Sequence, residues 1–356
     1  MPARDPARIA CCMVRNGRWR DKQVIPQWFV AQAALPYHNV NADSAEPKYD
    51  SDHLRGRTIM LPDLQTPLIR LSNLFPRQDV YAKCEFLAPS GCFKIRGAAH
   101  LLDHLRREGG TRQLIVPSMG NTALGAATAA SAFGFSMTGV VPQTIARAKD
   151  EKLRALGVDL VKIAGGGSDL LRHATDLAKE RGGYFVHPHL DPLWTDGYQS
   201  IAAEVLRDLP TCRSIVLPVG GGGLLMGLLA YLRNNPAPVR LFGCEPFNYP
   251  KYARFDHARS TTIADGLILE TPHPQVQQSI ADCGVAISLV PDVDIRTALK
   301  DLFEAQAVVV EPSSAITLAF VKSQAEELGE PICVILTGEN IAHEDHRRLI
   351  SGARDA

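Results

Sequence analysis

Ser214-Ile215-Val216-Leu217-Pro218-Val219-Gly220-Gly221-Gly222-Gly223-Leu224-Leu225-Met226 is the stretch on which the fold turns. Ser214 to Val219 runs apolar without alternation, as a strand covered on both faces does. Leu224 to Arg233 reads as a helix. The four glycines between them strip every Cβ from the turn, at a backbone-entropy cost of about 0.5–1 kcal/mol each against alanine. Backbone N–H groups there, with the helix N-terminus behind them, can close on an anion, and a phosphate is the natural guest. A merely flexible turn is the other reading. No Lys-Ser/Thr follows, and the G-x-G-x-x-G spacing of dinucleotide sites is missing.

The same strand-then-helix alternation extends in both directions. Val80 to Phe86, Gln113 to Pro117, Ser136 to Val141, Asp159 to Ile163, Tyr184 to Val186, Val239 to Cys244 and Ile332 to Leu336 read as strands. Lys94 to Glu108, Asn121 to Phe133, Ala148 to Leu156 (stopped by Gly157) and Asp169 to Glu180 read as helices. Apolar strands separated by helices predict an α/β fold with mainly parallel sheet, whose ligands sit at the carboxyl ends of strands. Three small-residue clusters fall there: Pro117 to Asn121, Pro218 to Gly223, and Thr337-Gly338-Glu339-Asn340.

Lys94 follows a Gly91-Cys92 turn and opens a helix. A desolvated lysine amine so placed can form a Schiff base, although a helix-capping surface lysine has the same sequence signature. Ser118-Met119-Gly120-Asn121-Thr122 offers N–H groups to a substrate carboxylate, or serves as an N-cap through Ser118. Thr337 offers a hydroxyl for a ring nitrogen or for a cap. His100 and His104, and His187 and His189, are assigned surface or packing roles, since no metal-ligand spacing links them. No G-x-S-x-G elbow is present.

Bulk composition narrows the function classes. The 356 residues are 46% hydrophobic, with 38 Lys plus Arg balancing 38 Asp plus Glu. That is enough for two domains and gives no electrostatic footprint for nucleic acid. The basic run Arg15 to Lys22 reads as a solvated segment. Eight cysteines without a C-x-x-C pair predict reduced, mostly buried thiols in a cytoplasmic protein. No run approaches the roughly 18 apolar residues of a membrane span, and no secretory signal is expected. Residues 1–50 lack periodicity and form an expected N-terminal extension.

Taken in order, the clusters resemble the fold type II pyridoxal-phosphate enzymes, nearest the serine/threonine dehydratase and serine racemase family, with cysteine synthase more distant. The resemblance spans Thr66 to Asn340. It rests on Thr66-Pro67-Leu68, Ser90-Gly91-Cys92-Phe93-Lys94-Ile95-Arg96-Gly97, the Ser118 loop, Leu156-Gly157 and Pro218 to Gly223. It continues through Glu245-Pro246, Ala264-Asp265-Gly266, Glu311-Pro312 and Thr337 to Asn340. It implies a tryptophan-synthase-β-like architecture of two domains, each with a mainly parallel sheet under helices, and an active site in the cleft between them. A large cofactor-binding domain of 51–112 plus 183–356 and a small domain of 113–182 are expected, as are pyridoxal 5'-phosphate, a small amino-acid substrate and a homodimer. With the sequence ending soon after Asn340, the appended regulatory domain of biosynthetic threonine dehydratases is not expected.

The resemblance also assigns residues. Lys94 would be the catalytic, Schiff-base lysine and Phe93 would lie beside the ring. Gly220, Gly221, Gly222, Gly223 and Leu224 would cup the phosphate. Ser118, Gly120, Asn121 and Thr122 would grip the substrate carboxylate, with Asn121 also at the phenolic oxygen. Thr337 would face the pyridine nitrogen. A neutral hydroxyl there makes the ring a weaker electron sink than a carboxylate would, which favours expelling a β-substituent. The implied reaction is β-elimination from serine, threonine or a related β-hydroxy amino acid, through an aminoacrylate, to a 2-oxo acid and ammonia.

Departures refine this. Met119 stands where a racemase carries a second catalytic serine, which disfavours racemisation. Glu245 matches a metal-binding glutamate, but its counterpart position holds Lys251, so no metal is expected. Cys92 and Glu339 add bulk where Ser and Gly are usual. Asn121-Thr122 resembles the cysteine-synthase form of the loop, which keeps a β-replacement synthase as the alternative. A catalytically silent cofactor-binding protein is the non-enzyme reading.

Overall fold

The computed structural model describes residues 64–351, except Met119, Ala146, Pro188, 255–259 and Glu270, together with Arg18–Trp19 (β1) and Lys22–Gln23 (β2). Those two dipeptides pair antiparallel. The rest of the expected extension, with Cys11 and Cys12, lies outside the described residues.

A six-stranded sheet forms one layer. Its strands are Leu68–Arg70 (β3), Val80–Cys84 (β4), Ser214–Pro218 (β9), Arg240–Pro246 (β10), Ala286–Val290 (β11) and Ile332–Leu336 (β12), in the order β11-β10-β9-β12-β4-β3. All neighbours are parallel except β3 against β4. Val334 of β12 faces Val216 on one side and Ala82 on the other. Every residue of β9 and β12 is buried, as the unbroken apolar runs require of strands covered on both faces. A second, four-stranded parallel sheet orders Asp159–Ile163 (β7), Ser136–Pro142 (β6), Gln113–Val116 (β5) and Tyr184–Phe185 (β8).

Two helices join the layers. Lys94–Glu108 (α1) buries Ile95, Ala98, Leu101, Leu102 and Leu105, one stripe at 3.6-residue spacing. Asn121–Phe133 (α2) buries ten of its residues and packs closely on α1. Arg147–Ala155 (α3) and Gly167–Arg181 (α4) flank the smaller sheet, and Gly157 follows α3 at φ 80°. Pro192–Asp196 (α5), Gln199–Asp208 (α6) and Gly223–Asn234 (α7) lead into and out of β9. Pro274–Asp282 (α8), Asp292–Gln306 (α9), Pro312–Gln324 (α10) and His343–Ile350 (α11) complete the larger layer.

The expected strand over Val80 to Phe86 stops at Cys84, and Glu85–Leu87 forms a 3-10 turn. Glu85 is drawn into a buried ion cluster rather than continuing the ladder: its Oε2 accepts from Arg96 Nε at 2.7 Å and its Oε1 from Thr66 Oγ1 at 2.6 Å. Cys84, Cys92, Cys212, Cys244 and Cys333 are buried free thiols, and Cys283 is exposed. No helix among the described residues is long and apolar enough to cross a membrane.

Candidate active site

Lys94 is the first residue of α1, at the carboxyl edge of the larger sheet. The turn before it is pinned to the loop after β12. Phe93 N donates to Thr337 O at 2.9 Å, Glu339 N donates to Gly91 O at 2.9 Å, and Asn340 Nδ2 donates to Ser90 O at 3.1 Å. From the other side α2 crosses so closely that a Cβ on Gly125 would lie 2.8 Å from Lys94 Cβ. The amine stands 4.9 Å from the Phe93 ring centroid and 5.8 Å from that of Tyr198. Burial removes water from the ammonium and lowers its pKa from the usual lysine range to about 8, against the opposing pull of Cys92 and Glu311.

Beneath α1 the ion cluster fixes this geometry. Arg96 Nη1 donates to Glu204 Oε1 at 2.6 Å, and its Nη2 reaches Glu85 Oε1 at 2.9 Å. Lys83 pairs with Glu204 and donates to Thr66 O at 2.5 Å. Burial alone would raise the Glu204 pKa, but Arg96 and Lys83 outweigh it and the carboxyl is held low. Two cations and two carboxylates, all buried, thus tie β4, α1 and α6 together.

The glycine turn closes onto α7. Gly222 sits at φ 89°, a left-handed conformation that side chains resist, and a Cβ there would strike Val276 at 2.5 Å. A Cβ on Gly221 would fall 2.1 Å from His189 Cγ. Gly220 approaches Gly266 O, while Gly223 and Leu224 are buried at the start of α7. The glycines therefore admit His189 and Val276 against the turn and leave its backbone without side chains of its own. His189 packs against the turn itself. His187 stands beside it, while His100 on α1 instead hydrogen-bonds Leu193 O at 2.7 Å.

The loop from β5 into α2 carries Ser118, Gly120, Asn121 and Thr122; Met119 lies outside the described residues. Ser118 does not cap the helix. Gly120 is the N-cap residue, and Ser118 Oγ accepts from Gly120 N at 3.2 Å. Asn121 Nδ2 donates to both oxygens of Glu311, at 2.8 and 3.0 Å. Asn340 Nδ2 donates to Asn121 Oδ1 at 2.8 Å, and Lys152 of α3 donates to Asn340 Oδ1 at 3.0 Å. Burial lifts the Glu311 pKa to about 7. Thr337 is buried with its hydroxyl 3.0 Å from Ser314 Oγ. Glu311 belongs to the Glu311-Pro312 motif of the resemblance but has no role assigned from sequence, and Lys152 and Ser314 carry no sequence signal, because only the folded chain brings the three to Asn121, Asn340 and Thr337. Glu339 opens toward Lys152, and crowding by protein raises its carboxyl to about 7.

Glu245 lies away from these groups. Its carboxylate takes N–H groups from Lys251, Tyr252 and Ala253 at 3.1 Å and sits 3.3 Å from Lys251 Nζ. Among the described residues no set of three or more His, Cys, Asp or Glu side chains is grouped to hold a metal ion.

The carboxyl ends of β5, β9 and β12 thus converge on one amine, one bare turn and one N–H-rich loop. Comparison with known proteins agrees on the type of molecule. A family model described as pyridoxal-phosphate dependent enzyme matches residues 59–338. L-threonine ammonia-lyase of Thermotoga maritima is 30% identical over 270 residues, covering 74% of this chain and 67% of that one. The catabolic L-threonine dehydratase of Staphylococcus aureus is 29% identical over 269 residues, covering 73% and 78%. Among solved structures, processed threonine deaminase isoform 2 of Solanum lycopersicum superposes with a TM-score of 0.75 at 25% identity, over 82% and 90% of the two chains. Maize serine racemase gives 0.72 at 25% identity, over 81% and 92%.

Proposed function

Because the chain belongs to the pyridoxal-phosphate dependent enzymes, with the two-sheet fold type II architecture and dehydratase-like relatives at about 30% identity, we propose that it eliminates the β-hydroxyl of serine, threonine or a related amino acid, releasing a 2-oxo acid and ammonia. In this reading 51–112 with 183–356 form the large cofactor-carrying unit and 113–182 the small one, in a cytoplasmic homodimer.

The site residues suit the cofactor on physical grounds. At Gly221 and Gly222 a Cβ would collide with His189 and Val276, so glycine is required there, and the backbone N–H groups are what the turn has to offer a phosphate. Phe93 supplies an aromatic wall next to the amine. Lys94 would hold the cofactor, Gly220 to Gly223 and Leu224 its phosphate, Asn121 its phenolic oxygen and Thr337 its ring nitrogen. Bound there, the cofactor supplies an electron sink for the charge left when the Cα proton departs.

The protein's own groups do the rest. The N-terminus of α2 would present the N–H groups of Asn121 and Thr122 to a substrate carboxylate, together with the Ser118 hydroxyl, which accepts from Gly120 N and orients that loop. Lys94 serves twice, as the attachment point and, when free, as the base that takes the Cα proton. An amine with its pKa lowered to about 8 is partly neutral near neutral pH, which a lysine in water is not. Thr337 offers a neutral hydroxyl, leaving departure of the β-hydroxyl as the route that relieves the charge.

The half-buried Lys94 at the head of α1, its amine against the Phe93 and Tyr198 rings and its pKa lowered to about 8, is the observation that carries this proposal. Its test is a panel of L- and D-serine, threonine, O-acetylserine, O-phosphoserine, 3-hydroxyaspartate and diaminopropionate, with 2-oxo acid and ammonia measured for each. Release from a hydroxy amino acid without added nucleophile supports elimination. Product only when a thiol or other nucleophile is added would favour the β-replacement reading, and none with any substrate would favour a silent binding protein.

A further inference from the structure

Three histidines from two separate loops meet at the glycine turn, and the elimination chemistry uses none of them. His187 Nδ1 accepts N–H groups from His189 at 3.3 Å and Leu190 at 3.1 Å, which places the proton of neutral His187 on Nε2. His189 Nδ1 lies 3.3 Å from His273 Nε2, and the ring centroids are 5.5 Å apart. The His189 ring lies against Gly221, its Cδ2 only 2.3 Å from where a Cβ would stand, and Nε2 is the next ring atom. Among the described residues nothing in the protein hydrogen-bonds that Nε2. His273 is positioned in turn by Tyr252, whose hydroxyl accepts His273 N at 3.2 Å and donates to Gly221 O at 3.5 Å.

The charges around His189 all have one sign. Lys94 faces it from α1, His187 from its own loop and His273 from the loop before α8, with neutral Tyr252 beyond. Asp191 is turned away onto Trp194 N and Tyr184. Burial first, then the charge of Lys94, with His273 and His187 opposing a second charge beside them, holds the imidazole well below its usual range and hence neutral. An imidazole without a carboxylate partner, laid against a row of bare N–H groups, is suited to an incoming anion.

We infer that His189 is part of the seat for the cofactor's phosphate, donating through Nε2 and taking one proton from solvent when the dianion binds, with its Nδ1–H held by His273. The proton balance is closed. The neutral ring gains one H⁺, and the new Nδ1–H donates to the unprotonated Nε2 of His273, whose own proton is then on Nδ1. The inference rests on the reading that Gly220 to Gly223 receive the phosphate.

The experiment compares full-length wild type, His189→Asn and His273→Asn, each loaded with pyridoxal 5'-phosphate or with pyridoxal. Cofactor loss after dilution is followed by visible absorbance across pH. The wild type is expected to keep the phosphorylated form far longer than pyridoxal and to lose it faster as pH rises and the imidazolium is neutralised. His189→Asn should lose pyridoxal 5'-phosphate about tenfold faster, as one charge-assisted hydrogen bond implies, with the pH dependence flattened and pyridoxal loss unchanged. His273→Asn keeps the His189 ring but takes away the neutral Nε2 that accepts its Nδ1–H, and so should shift the midpoint of that pH dependence downward. An unchanged rate and pH profile in His189→Asn, or an unmoved midpoint in His273→Asn, would overturn the inference. Equal retention of pyridoxal and its phosphate by the wild type would instead overturn the glycine-seat reading beneath it.

Discussion

The Cβ that Gly125 lacks would stand 2.8 Å from the Cβ of Lys94. Helix α2, which carries the carboxylate loop, and helix α1, which carries the amine, are therefore set one missing methyl group apart. Gly125→Val is expected to push them apart, costing about 1–3 kcal/mol by overpacking. Thermal unfolding would register the stability loss, and absorbance titration would register weaker cofactor retention. A variant with native stability and full cofactor content would show that this crossing does not set the amine.

Arg96 is enclosed by Glu85 and Glu204 with almost no exposure. Removing one partner of a buried ion set leaves the others uncompensated, so Arg96→Met should destabilise by about 3–5 kcal/mol in denaturant titration. Arg96→Lys should recover only part, because one ammonium cannot reproduce the fork that reaches both carboxylates.

Cofactor-free protein should show two opposed limbs in stability against pH. Glu311 is raised from 4.5 to about 7, so between those values the folded state holds a proton the unfolded chain has lost, and stability falls as pH rises. Lys94 is lowered from 10.5 to about 8, so above about 8 the unfolded chain holds the extra proton and stability rises. Each limb is limited to about 1.4 kcal/mol per pH unit. Glu311→Gln should erase the lower limb and Lys94→Met the upper one, as read by chemical denaturation at stepped pH.

Glu245 already has a cation. With Lys251 Nζ 3.3 Å away and both groups buried, a divalent ion would meet an ammonium at close range. Turnover is therefore expected to be unchanged by a chelator and by added magnesium or calcium. Lys251→Ala should destabilise the fold by about 3–5 kcal/mol through the stranded carboxylate. Activity that depends on an added divalent ion would contradict this.

The sequence exposes what depends on runs of like residues and hides what depends on distant pairs. The helix from Lys94 to Glu108 and the strand from Ile332 to Leu336 have the expected bounds, because each is a periodic or unbroken apolar segment with clear ends. The bare turn at Gly220 to Gly223 stands out for the same reason. By contrast, Glu311 meets Asn121 across 190 positions and Lys152 meets Asn340 across 188. His189 reaches His273 across 84 positions, from sites that each look like ordinary loop residues. Nothing local announces such contacts. The stretch from 247 to 331 shows no clear periodicity in sequence: β11 is a half-exposed edge strand, and α10 is buried almost throughout, so neither has a clean amphipathic period.

Borohydride reduction of the cofactor-loaded protein, followed by peptide mass spectrometry, tests the central claim most directly. The account predicts a single pyridoxyl-phosphate label, on Lys94, and none in Lys94→Ala. A label on another lysine, or an undiminished label in Lys94→Ala, would contradict it.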